Sequence, residues 1–205
     1  MFSRLGAKES LGDLNLPLFC NAELQPGDVI EFCGVEGTGK SELLLNIAAI
    51  CILPRFWQGV ALPGRNVDVL FVSTDYKFDL VRFVTVMKGI ILSHGVLLSD
   101  EVKYKELIIS SLEHLHIVNC SSMDELVISL YSFKIFLINH PEVCTLLIDN
   151  IATFWWTERA ENSMSDLYQQ RWTCAVNELI REFHLVVIAA RPLLTKDMTS
   201  HFEKV

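Results

Sequence analysis

The chain has 205 residues, enough for one domain with a sizeable core. Its formal charge of -8, from 17 basic and 25 acidic residues, makes the whole chain a poor non-specific binder of nucleic acid and leaves only a local basic patch for that role. The apolar fraction of 51% is slightly high for a soluble protein and points to a strongly buried sheet or to a face that a partner covers.

Residues 1–27 are mixed, and the first eight lack the long apolar stretch of a signal peptide, which leaves cytosol or nucleus as the compartment. Gln25-Pro26-Gly27-Asp28 is a turn signal. Residues 29–33 read as a strand, and Gly34-Val35-Glu36-Gly37-Thr38-Gly39-Lys40-Ser41 follows it. Residues 42–53 read as a buried helix that Pro54 stops. Residues 55–66, with Gly59, Pro63 and Gly64, read as an exposed connection. The near-continuous apolar run at 67–73 suits a parallel sheet covered on both faces.

Helices are expected at 78–94 and 100–112, then a short strand at 115–118. Ser122 with Glu125 resembles a capping box for a helix that reaches Asn139. Residues 144–149 form a strand closed by Asp149, residues 157–165 a polar mobile loop, residues 166–183 a helix and residues 185–189 a last strand. Strands alternating with helices predict an α/β fold with a mostly parallel central sheet flanked by helices. The chain stops at 205, soon after that strand, so the sheet is expected to be C-terminally short, as a trimmed form or because the fold ends early. Residues 1–27 form an N-terminal extension and residues 28–205 the nucleotide-binding core.

The six cysteines show no C-x-x-C spacing, and Cys33, Cys51 and Cys144 lie in apolar runs, so they read as reduced core cysteines. His114 and His116 share one face of a strand, with no third metal ligand nearby. The most apolar helix, at 127–138, is too short to span a bilayer, and no membrane role is expected.

The segment 34–41 is a complete G-x-x-x-x-G-K-[ST] phosphate loop between a strand and a helix. Glycines at 34, 37 and 39, with Val35, Glu36 and Thr38 between them, let backbone amides face phosphate oxygens. The first turn of the helix adds its unpaired amides and its dipole. Lys40 is placed to reach the β- and γ-phosphates and Ser41 to hold Mg²⁺. Asp149, at a strand end, is the candidate second acid on magnesium, through water. Asp75 is the best candidate to orient or deprotonate an attacking water, with a helix-approach cap as its alternative role.

Taken together, residues 31–41, 69–79 and 146–150 resemble the RecA-type recombinase core, and more narrowly the eukaryotic recombinase paralogs. The narrower likeness rests on Cys51-Ile52-Leu53-Pro54, Thr74-Asp75-Tyr76-x-Phe78-Asp79, Asn119-Cys120-Ser121-Ser122 and Phe154-Trp155-Trp156. The resemblance implies ATP and Mg²⁺ as ligands, and it places Arg82 over the adenine ring. It also puts Asp75 where catalytic members carry glutamate, one methylene longer. Ala189-Ala190-Arg191-Pro192 stands where recombinases have a sensor glutamine, and the separate N-terminal DNA-binding domain of the family is lacking.

These features imply weak, absent or partner-dependent ATPase activity. The resemblance further implies work in homologous recombination and fork maintenance within a complex of paralogs, the "D" paralog in particular. DNA is then contacted through the complex, and the protein is nuclear with room for a cytoplasmic pool. Trp155 and Trp156 are either core or partner surface. A DNA-dependent ATPase and a small-molecule P-loop kinase are the competing readings.

Overall fold

The computed structural model describes residues 24–96, 101–154 and 165–193. Its elements are β1 (Val29–Gly34), α1 (Lys40–Ile52), β2 (Phe56–Trp57), β3 (Val60–Ala61), β4 (Asp68–Ser73), α2 (Leu80–Ser93) and α3 (Glu101–Leu112). They continue with β5 (Leu115–Asn119), α4 (Met123–Asn139), β6 (Val143–Asp149), α5 (Ser165–Phe183) and β7 (Val186–Pro192). Five strands form one parallel sheet in the order β1-β7-β6-β4-β5. The expected α/β architecture is therefore the observed one, a RecA-like P-loop NTPase core.

Strand β4 is buried along its whole length. Successive side chains on a strand point to opposite faces, and β4 feeds two separate cores in this way. Val69 and Phe71 join the cluster beneath α1, α2 and α3. Leu70 and Val72 join the cluster beneath α4 and α5. Helix α1 buries Leu44, Leu45, Ile47, Ala48, Ala49, Cys51 and Ile52, so it is apolar nearly all round, as a helix deep in a core must be. Cys51 and Cys144 are buried as expected, and burial pushes the Cys51 thiol up to about 12, which leaves it protonated and inert. Cys33 is exposed, against expectation, because β1 lies at a sheet edge.

The stretch after Pro54 is more ordered than a plain connection. β2 and β3 form a hairpin whose turn residues, Gln58 and Gly59, both have positive φ (49° and 81°), as a two-residue type I′ turn requires. The backbone then folds back to satisfy the end of α1. Arg65 N donates to Ile50 O, Asn66 N to Leu53 O and Val67 N to Cys51 O, at 2.9–3.0 Å. Gly64 permits this approach, since a Cβ there would lie 2.0 Å from Leu53 O.

The Ser122 half of the expected capping box is present, with Glu125 N donating to Ser122 Oγ at 3.2 Å, while the Glu125 carboxylate reaches one residue further back and accepts from both N and Oγ of Ser121 at 2.7 Å. Lys134, on α4, ties this helix to α5 through Glu178 at 2.7 Å and Glu182 at 3.1 Å. His114 and His116 converge on the buried Asp68, which sits at the start of β4 and occupies both imidazoles. No described helix is long and apolar enough to cross a membrane. Of the loop expected at 157–165, Ser165 already begins α5, and the rest lies outside the described residues, as do Trp155 and Trp156.

Candidate nucleotide site

The carboxyl ends of β1, β4 and β6 meet at one edge of the sheet, where parallel α/β sheets bind ligands. The phosphate loop runs from the end of β1 into α1. Gly37 and Gly39 have φ of 80° and 84°, a left-handed conformation that glycine adopts freely, and nothing lies within 4 Å of where a Cβ would sit. No side chain caps α1, whose N-cap residue is Gly39 itself. Its first-turn amides are thus left to the loop's concave side, where they suit an anion. Lys40 Nζ lies across the loop and donates to Gly34 O at 2.9 Å and Val35 O at 2.8 Å. Thr38 Oγ1 donates to Val35 O at 2.8 Å and braces the same turn.

Asp149 ends β6 beside Ser73 of β4, and its side chain is hydrogen-bonded to Ser41. The structure therefore brings together the two residues expected to serve magnesium. A hydroxyl and one carboxylate, next to a phosphate cradle, suit Mg²⁺, which is commonly held by one or two carboxylates plus substrate phosphates. Among the described residues no cluster of three or more His, Cys, Asp or Glu could hold a metal by itself. Burial raises the carboxyl of Asp149 above its ordinary value; the Ser41 hydrogen bond lowers it, the charge of Asp75 raises it, and Lys77 and Lys40 lower it.

That balance has a consequence for stability. A raised carboxyl binds more protons in the folded chain than in the unfolded one, so it makes stability fall as pH rises through the raised range. At neutral pH the ionised Asp149 is a net cost. Asp149→Asn, which keeps an oxygen for Ser41, is expected to raise the melting temperature at pH 7 and flatten the acid-side pH dependence. It is also expected to abolish the Mg²⁺-dependent part of nucleotide binding. Thermal melts across pH, with and without Mg²⁺-nucleotide, check both halves.

The turn after β4 is the part that sequence reading missed. Thr74 is buried and sews β4 to the segment after β6: its N donates to Asp149 O at 2.9 Å, and its Oγ1 accepts from Asn150 N at 3.0 Å. The Asp149–Asn150 peptide between these contacts is cis. Asp75 stands at the expected place, two residues past the β4 position that pairs with Asp149. Both of its carboxylate oxygens are engaged by one residue: Oδ1 accepts from Lys77 N and Oδ2 faces Lys77 Nζ, each at 3.1 Å. Asp75 thus serves a local turn and ion pair, and not the cap of α2. Asp79 caps that helix by accepting from Val81 N at 2.8 Å. Nothing in the sequence pattern pointed to Lys77.

Arg82 projects from the first turn of α2 and forms a two-point pair with Glu42 of α1, Nε to Oε1 at 2.8 Å and Nη2 to Oε2 at 2.9 Å. This joins the helix behind the phosphate loop to the helix behind Asp75. Arg191 belongs to β7 and does not follow it. Its Nε lies 3.3 Å from Glu31 Oε2 and its Nη2 lies 3.1 Å from Cys33 Sγ, so the arginine is drawn back along β1. Leu193 N donates to Gly34 O at 2.9 Å, which fastens the end of β7 to the first residue of the phosphate loop.

Fold and site together define a RecA-like P-loop core built to take nucleotide phosphates. No family model matches the chain. It is 34% identical over 194 residues to the DNA repair protein XRCC2 of Mus musculus, which aligns with 92% of this chain and 65% of that protein. It is 29% identical over 178 residues to the DNA repair protein XRCC2 homolog of Arabidopsis thaliana, covering 74% of this chain and 48% of that one. It is also 29% identical over 182 residues to the DNA repair protein RAD51 homolog 3 of Cricetulus griseus, covering 85% and 47%. The chain thus spans between about half and two thirds of the length of these relatives. By this homology the chain is related to the RecA-like eukaryotic recombinase paralogs.

Proposed function

We propose that the chain is an ATP- and Mg²⁺-binding recombinase-paralog subunit that supports double-strand break repair by homologous recombination and replication-fork maintenance. In this reading it works within a hetero-oligomer of paralogs, the "D" paralog among them. It reaches DNA through that assembly, in the nucleus with a cytoplasmic pool. Lys40 and the loop amides hold the phosphates, Ser41 and Asp149 serve Mg²⁺, and Arg82 lies toward the base. When bound, ATP supplies the site's missing phosphate oxygens for Mg²⁺ and a link between the loop and its surroundings.

The observation that carries the reading is the contrast within one site. The cradle around Lys40 is complete, while Asp75 has both oxygens committed to Lys77. A carboxylate held in that way is poorly placed to orient an attacking water, and a misplacement of about 1 Å can cost about a hundredfold in rate. The rim of the site supports a partner. Val35, Tyr76, Leu80 and Val81 are exposed apolar residues around the phosphate loop and the start of α2, with Val81 77% exposed. Exposed apolar side chains of this kind suit coverage by another protein.

The test is affinity purification of the protein from cells, mass spectrometry of its partners, and extraction of nucleotide from the purified assembly. Other recombinase paralogs with ATP or ADP in near-equal ratio to the chain are the expected result. Purification without paralogs, or with robust DNA-stimulated turnover by the chain alone, would favour a direct DNA-dependent ATPase instead.

A further inference from the structure

We propose that Lys77 is the residue by which this site tells a nucleoside triphosphate from a diphosphate, by passing its ammonium from Asp75 to the terminal phosphate. This rests on the nucleotide-site reading above and deepens it.

The local sequence sets the position of Lys77. As β4 leaves the sheet, Asp75 Oδ1 accepts from Lys77 N, which closes a tight turn typical of aspartate. Tyr76, inside that turn, has φ of 55°, a left-handed conformation uncommon for an aromatic residue. The reversal swings Lys77 back over the edge of the sheet, so that Nζ lies 3.1 Å from Asp75 Oδ2. The lysine side chain stays 75% exposed, against 18% for Asp75. An ion pair with one partner this exposed adds little to folding, since water screens it and the long side chain loses freedom. The strained turn is therefore out of proportion to a purely structural role.

The charges around Lys77 indicate what it faces. Besides Asp75, it feels the carboxylates of Glu36, in the phosphate loop, and Asp149, at the end of β6. Asp149 in turn feels both Lys40 and Lys77. One exposed ammonium is thus paired with Asp75 and lies within electrostatic reach of Glu36 and Asp149. Counting Glu36, Asp75 and Asp149 against Lys40 and Lys77, the protein groups carry one net negative charge where a polyanion must bind.

The loop amides and the first turn of α1 would serve the α- and β-phosphates, and Lys40 would reach the β- and γ-phosphates from the loop side. A terminal phosphate would extend beyond the loop, on the side where Asp75 and Asp149 stand, and would bring further negative charge with it. Mg²⁺ offsets part of that charge, and Lys77 is the remaining cation in this cluster. Three phosphate oxygens offer its ammonium a more highly charged partner than the Asp75 carboxylate. A diphosphate offers no such partner, and Lys77 then stays on Asp75. Discrimination follows from that difference alone, without hydrolysis, because Oδ1 of Asp75 stays bound to Lys77 N and keeps the carboxylate in its turn when the ammonium leaves Oδ2.

The experiment is isothermal titration of the unsubstituted protein, Lys77→Met and Lys77→Arg with Mg²⁺-ADP and with a non-hydrolysable β,γ-imido analogue of ATP. Lys77→Met is expected to weaken the triphosphate analogue about tenfold or more, the scale of one charge-assisted hydrogen bond, and to leave ADP within about twofold. Lys77→Arg, which keeps the cation, is expected to retain most of the preference. An unchanged triphosphate-to-diphosphate ratio in Lys77→Met overturns the inference while leaving the nucleotide site intact. If the unsubstituted protein takes neither nucleotide, the nucleotide-site reading falls and the inference falls with it.

Discussion

Lys40→Ala is expected to weaken nucleotide binding by roughly a hundredfold, or about 3 kcal/mol, within the range seen when one partner of a hydrogen-bonded charge pair is truncated. Lys40 Nζ donates to the carbonyls of Gly34 and Val35, within the loop whose amides face the phosphates. Removing it takes away the cation nearest the phosphates and leaves Glu36, Asp75 and Asp149 opposed only by Lys77. The fold itself should change little, because Lys40 is partly exposed and its contacts are confined to the loop. A saturating ligand at 100 times its Kd stabilises a protein by about 2.7 kcal/mol. The nucleotide-induced rise in melting temperature should therefore appear in the unsubstituted protein and vanish in Lys40→Ala, with the two ligand-free melts nearly superimposed.

Phe71→Ala is expected to cost about 3–5 kcal/mol of folding stability, the usual range for emptying a buried phenylalanine site. Phe71 is 1% exposed at the middle of β4. It packs edge-on against Phe78 at 5.0 Å between ring centres, and Phe78 meets Phe83 of α2 at 5.6 Å. This aromatic row joins the central strand to the segment just past Lys77 and to the following helix. Its loss should open a cavity and also loosen the turn that holds Asp75 and Lys77. Urea unfolding should show the drop in midpoint, and nucleotide affinity should weaken in the protein that remains folded. Ile135→Ala, at a position 71% exposed on α4, should stay within about 0.5 kcal/mol and serves as the control.

The parts legible from sequence were those with a local cause. Strand β4 and helix α1 announced themselves by continuous apolar runs, and the phosphate loop by glycine spacing. Asp149 was legible because an acid ends an apolar strand, and Ser41 meets it as the motif requires. The hairpin of β2 and β3 was not legible, since two-residue strands leave no periodicity and only Gly59 marks the turn. Cys33 was misjudged because an apolar run does not reveal that its strand is at the sheet edge.

The least legible features decide how the site works. The pair of Arg82 with Glu42 joins residues 40 positions apart. The retreat of Arg191 toward Glu31 depends on β7 lying beside β1, a pairing of strands far apart in the chain. The hold of Lys77 on Asp75 is local, but it requires Tyr76 to adopt a left-handed conformation that its residue type does not suggest. Motif spacing finds the groups that bind phosphate. It does not find the ones that restrain or redirect them.

On the proposed function, this site holds nucleotide and does not efficiently consume it. The direct measurement is a paired assay on the purified protein with Mg²⁺-ATP, in which bound nucleotide and released phosphate are followed in the same sample. Saturable, Lys40-dependent binding with turnover close to the buffer background is the predicted result. Lys40-dependent phosphate release at the rate of an active ATPase, or no binding at all, would contradict it.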